Sequence, residues 1–137
     1  MNPLKLQPAA EIIRLEIKAM IPELSNQTVK NRAEVLKTEG NGNKTYGGQL
    51  LAAQIPPLAR QLPIPDPENW GWRLLYFAVP TTATTRKGGF VIPLSEKTIR
   101  QGILKEGESQ EGLYFEVATG TETEVNSETA AIYFVPR

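Results

Sequence analysis

Neither cysteine nor histidine occurs anywhere in the chain. Without thiols there is no disulfide and no thiolate metal site. Without imidazole the commonest general base, the commonest transition-metal ligand and the usual pH switch are all missing. A serine–histidine nucleophile pair is therefore excluded by composition. Asp66 is the only aspartate and sits between Pro65 and Pro67, which is poor material for a hard-metal site. No apolar run approaches the roughly 20 residues needed to span a bilayer. Glu11 and Glu16 interrupt the N-terminal apolar stretch, which argues against a signal peptide. The chain reads as cytosolic and mature.

What is present suits one domain: 137 residues, 40% hydrophobic and 22% charged. A chain of this size can bury roughly 70% of its unfolded surface. Eleven prolines fall mostly where segments should end and predict many short elements. The net charge of zero hides a segregation. Residues 1–105 carry 14 Lys/Arg against 8 Asp/Glu, whereas residues 106–137 carry Arg137 against seven glutamates. The two sets either interleave on folding or leave the protein electrically polar.

The best-marked element is a helix opened by Pro8 and closed before Pro22. Ala9, Ala10, Ile13, Ile17, Met20 and Ile21 share its inner face, and Glu11, Arg14 and Lys18 its wet side. A second helix is predicted in "SNQTVKNRAEVLKTEG", capped by Ser25 or Asn26, with Val29, Ala33 and Leu36 on one face and Gly40 as its stop. "QLLAAQIPPLARQL" predicts a short helical turn on either side of Pro56-Pro57. Residues 1–62 thus read as mainly helical, 63–71 as a proline-rich extended linker, and 72–137 as mainly β. Strands are predicted at 72–79 and 89–94, paired as one hairpin, and at 112–119 and 129–137, paired as a second. The stretch 95–105 reads equally as a helical turn from Ser95 or an irregular strand. The expected fold is α+β, with N-terminal helices packed on a mainly antiparallel four-stranded sheet made of two hairpins with long loops.

Those loops hold the candidate contact residues. The first, "TTATTRKGG", contributes Thr82, Thr84, Thr85, Arg86, Lys87 and Gly88; the second, "GTETEVNSE", contributes Glu122 and Glu124. A phosphate-cradling loop places its glycines before the Lys and opens a helix, whereas here they follow Lys87 and lead into a strand. As a basic finger the loop can meet phosphates or an acidic protein surface. A neutral chain with no aromatic ladder beside its cations makes nucleic acid a poor partner. Trp70 and Trp72 read as sealing a core margin. With no catalytic constellation, no cofactor and no metal site in view, the sequence points to a non-enzymatic assembly protein. It would pair with copies of itself or other assembly subunits, as in a virus or phage-tail-like particle, and so lie in the cytoplasm or in such a particle. The alternative is a small intracellular binding module that contacts a protein or nucleic acid machine through residues 81–89.

Overall fold

The computed structural model describes residues 3–25, 32–100 and 109–137. Its described part is mostly β. Nine strands run in chain order as β1 (Pro3–Lys5), β2 (Glu34–Thr38), β3 (Lys44–Gly47), β4 (Trp70–Phe77), β5 (Thr81–Thr85), β6 (Gly89–Pro93), β7 (Leu113–Val117), β8 (Thr121–Val125) and β9 (Thr129–Pro136). Two short helices, α1 (Pro8–Ala19) and α2 (Gln49–Ala59), complete the set with two 3-10 turns. Seven strands form an antiparallel sheet in the order β1-β7-β6-β9-β4-β3-β2, and β5 and β8 form a separate antiparallel ribbon. Among the described residues no helix is long and apolar enough to cross a membrane.

The expected α+β fold with a four-stranded sheet is overturned, and three local causes account for it. First, the predicted second helix is a strand where it is described, Glu34–Thr38; its cap Asn26 and its face residue Val29 lie outside the described residues. All five residues of β2 are exposed, so no buried stripe existed to distinguish helix from strand. The turn that follows, Asn41-Gly42, closes a β2–β3 hairpin. Gly42 lies in the left-handed region at φ 96°, its N–H donates to Glu39 O at 3.0 Å, and Glu39 N–H donates to Asn43 O at 2.7 Å. Second, strands consecutive in sequence do not pair as expected: β6 lies between β7 and β9, and β4 between β9 and β3. The segment between β4 and β6, read as a loop, is strand β5 and leaves the sheet. Third, α2 runs through Pro56 and Pro57 as one helix. Leu51, Ile55, Leu58 and Ala59 pin it to the core at helical spacing, while Pro56 itself is exposed. The linker is also shorter than expected, because Trp70 and Gly71 already belong to β4.

Period-two alternation divides the sheet into two covered faces. Leu74, Ile92, Ile132, Phe134 and Tyr46 point to the helices, where they meet Ile17, Ile21, Leu51 and Leu58. Phe77, Val91, Phe115, Val117, Ala131 and Tyr133 point the other way and meet Val125 and Ala83 of the ribbon. The strand expected at 72–79 is the inner strand β4, two residues earlier at Trp70–Phe77, with Leu74 in the helix-side core and Phe77 in the ribbon-side core. Its eight-residue ladder with β9, from Trp70↔Pro136 to Phe77↔Thr129, is the longest in the sheet. Trp70 and Trp72 are partly buried against the helix-side core, as expected of a core margin.

α1 starts at Pro8 as expected but ends at Ala19, short of Pro22; Arg14, read as a wet-side residue, is buried, and Ala9, read as an inner one, is exposed. Its Nη2 meets Glu11 Oε1 at 2.5 Å and its Nη1 meets Glu111 Oε1 at 2.9 Å, while Lys18 Nζ reaches the same Glu111 oxygen at 2.6 Å. Ile12 and Leu15 of α1 are exposed. Elsewhere the buried Tyr46 donates its hydroxyl to the Glu23 carboxylate, and burial together with that bond pushes the phenol pKa up. Tyr46→Phe is expected to lower stability by about 1.5 kcal/mol, the scale of a hydrogen bond to a charged acceptor. Urea unfolding of the two proteins, with the slope unchanged, measures it.

Candidate functional site: the ribbon and the cavity beneath it

β5 and β8 are built from "TTATT" and "TETEV", and both earn their extended form from β-branched residues. Their register is Thr81↔Val125, Thr82↔Glu124, Ala83↔Thr123, Thr84↔Glu122 and Thr85↔Thr121. Alternation turns Ala83, Thr85, Thr123 and Val125 toward the sheet and leaves Thr82, Thr84, Glu122 and Glu124 exposed. Residues singled out in two separate loops therefore become two cross-strand Thr–Glu pairs on one outer face. The signal for this was in the sequence: Thr121, Thr123 and Val125 alternate with Glu122 and Glu124 at strand period.

Side-chain and backbone bonds fix the ribbon over the sheet. Asn43 in the β2–β3 hairpin accepts from Ala78 N–H at 2.8 Å and donates from Nδ2 to Thr81 Oγ1 at 3.0 Å, which sets where the chain leaves β4 for β5. At the far end the N–H groups of Gly88 and Gly120 both donate to Thr85 O, at 3.3 and 2.9 Å. Gly88 is in the left-handed region at φ 75°, and a Cβ there would stand 2.7 Å from Val117 O. This turn carries Arg86 and Lys87, both exposed.

On the other flank of β8 runs the stretch from Ser95, here neither helix nor named strand. Ile99 bridges to Val125, and Arg100 N–H donates to Glu124 O at 2.8 Å. Buried Gln110 holds Ile99 by both amide atoms, at 2.8 and 2.7 Å, standing in for a neighbouring strand. Residues 101–105 of the predicted 95–105 element lie outside the described residues.

Between the turn end of the ribbon and the sheet is a cavity of about 380 Å³. Leu75, Ala83, Val135 and Pro136 give it an apolar lining, and Arg73, Arg86 and Lys87 add three cations. Arg73 stands opposite Tyr133 in the β4–β9 ladder. None of the three cations is in an ion pair among the described residues. Thr85 and Tyr133, 7% and 5% exposed, also line the cavity, and neither hydroxyl has a hydrogen-bond partner among the described residues. Burial alone pushes the Tyr133 phenol pKa up, so the group stays a neutral donor. Among the described residues no carboxylate lines the cavity. Thr84 through Lys87 meet there, whereas Glu122 and Glu124 stay on the outer face.

A larger groove of about 470 Å³ lies between α2 and the start of β4, with Trp70, Trp72, Pro56 and Arg137 among its walls. No buried side-chain polar atom in it lacks a partner, and Arg137 Nε donates to Trp70 O at 3.2 Å. Its charged walls, Arg60, Glu68 and Arg137, are all exposed to solvent. Among the described residues no three carboxylates gather as a metal site would need. No family model, no curated protein and no solved structure matches the chain, so its function is read from these residues.

Proposed function

We propose that the protein is non-enzymatic and acts by assembling with copies of itself, one subunit's acidic ribbon face meeting the basic turn and cavity mouth of the next. The observation that carries this reading is the arrangement of the ribbon. Thr82, Thr84, Glu122 and Glu124 form one exposed strip, and the Arg86-Lys87 turn lies at its end. Opposite charges at different places on one surface suit a head-to-tail contact, which closes a ring or grows a filament. Glu116, Glu122, Glu124 and Glu128 are exposed and have no ion pair among the described residues, so most of the described C-terminal acidic charge stays available. Glu111 is the exception, neutralised within the subunit by Arg14 and Lys18.

Native mass spectrometry with light scattering tests it. The protein should associate at about 50 mM salt and lose most of that association near 0.5 M, where screening shortens charge interactions to a few ångströms. The double charge reversal Glu122→Lys with Glu124→Lys should weaken association by about tenfold or more, because like charges then face each other. A wild-type chain that stays monomeric at high concentration and low salt rules the reading out.

A further inference from the structure

The cavity under the ribbon has a property that subunit contact does not require: its lining is rich in donors, and two of them, the buried Thr85 and Tyr133 hydroxyls, have no partner among the described residues. Protein interiors pair nearly all buried polar atoms, and of the three buried hydroxyls without a partner among the described residues, Thr85, Thr123 and Tyr133, two belong to residues of this one wall, which points to a partner from outside the chain. Thr85 and Tyr133 each have a proton to give, and Arg73, Arg86 and Lys87 can only donate. A ligand for this lining must accept hydrogen bonds and carry negative charge. The remaining lining, from Leu75, Ala83, Val135, Pro136 and the Tyr133 ring, is apolar and offers nothing to a fully hydrated anion. The volume, about 380 Å³, lies within the 300–1,000 Å³ range of small-molecule sites, which combine such apolar walls with a few polar groups.

We propose that this cavity binds a small organic carboxylate with an apolar body, its anionic group taken by Arg73, Arg86, Lys87 and the two hydroxyls and its body lying against Leu75, Val135 and Pro136. A guanidinium grips a carboxylate through two parallel N–H bonds, and the neutral Tyr133 phenol adds a donor from a desolvated position where each bond counts for more. The ribbon turn then serves as the mouth, which explains why its two cations have no ion pair among the described residues. This inference does not rest on self-assembly: a strictly monomeric protein would bind the ligand, and an associated one would do so in competition with the neighbour's acidic face for Arg86 and Lys87.

The test is isothermal titration of the full chain with octanoate, with octanol as the uncharged control and a hexapeptide ending in a free carboxylate as the macromolecular source of the same group. Octanoate should bind one-to-one and saturably, with octanol and the peptide at least about tenfold weaker, the loss expected when charged partners go unpaired. Tyr133→Phe should weaken octanoate by about tenfold yet leave Tm equal or higher, since it removes an unsatisfied hydroxyl and nothing else. Arg86→Ala with Lys87→Ala, both at an exposed turn, should weaken it at least as much without changing Tm. Octanol binding as tightly as octanoate overturns the proposal. So does a peptide that binds while octanoate does not, or octanoate affinity unmoved in both variants.

Discussion

Replacing Arg14 with alanine is expected to lower the unfolding free energy by about 3 kcal/mol, near the lower end of what losing one partner of a buried ion pair costs. The guanidinium is 2% exposed and holds Glu11 and Glu111 together beneath α1. Without it the Glu111 carboxylate, 16% exposed, keeps only Lys18, and a core-facing volume empties. The figure is set at the low end because Glu11 is 31% exposed and can turn to water. Urea unfolding measures the loss, and Arg14→Lys should recover only part of it, since an ammonium cannot span both carboxylates in the same plane. The same triad sets a pH dependence. Burial pushes the Glu111 pKa up, but hydrogen bonds and charge from Lys18 and Arg14 outweigh it and hold the carboxyl below its ordinary value. Its contribution is therefore fully present above the unfolded carboxylate pKa of about 4.3 and is lost as pH falls through the depressed folded value. The acid limb of the stability curve should be shallower in the Arg14→Ala protein. An identical limb would mean that Glu111 is not linked to folding.

Gly89→Ala should be the more damaging change, costing about 3 kcal/mol or more. Gly89 opens β6 at φ 144°, where a side chain is strained, and a Cβ built there collides with the backbone carbonyl of Phe134 in β9. A backbone atom cannot swing aside as a side chain does, so β6 or β9 must shift. The register Phe90↔Phe134 to Pro93↔Ala131 goes with it, and Val91 and Ile92 are fully buried in that ladder. Circular dichroism with thermal melting reads the outcome, a Tm drop of roughly 10 °C or more for a domain of this size. Gly40→Ala is the control, since a Cβ there meets nothing within 4 Å. If the two variants melt alike, the close approach of β6 and β9 is not as described.

How far the sequence could be read depended on whether burial wrote a period into it. α1 was legible because Pro8 and Pro22 bracket a stripe that includes the buried Ile17 and Ile21. The strands β4, β6, β7 and β9 were legible because one or both faces are apolar. β2 was not, because every one of its residues is exposed and it is held by backbone pairing to β3 alone. β5 and β8 were hidden differently: threonine and glutamate read as loop composition, although threonine fills strands well and the alternation was present. Pairing was the least legible level. Nothing local in β6 states that residues 129–136 will lie on one side of it and 113–117 on the other; that follows from which faces each strand must bury. The cavity shared this fate. Arg86 and Lys87 were singled out from their loop, but Arg73, Tyr133 and the orphaned Thr85 hydroxyl gather around them only once β4, β5 and β9 are set side by side.

The position of β9 also bears on how the protein comes into being. It is the last of the described strands in chain order, and it joins β1-β7-β6 to β4-β3-β2. Until it emerges the nascent polypeptide can hold at most two separate half-sheets, each with a naked inner edge. Sheet closure therefore waits on β9 and is dominated by distant pairings, which makes folding slow and keeps two open edges exposed to chaperones until it pairs.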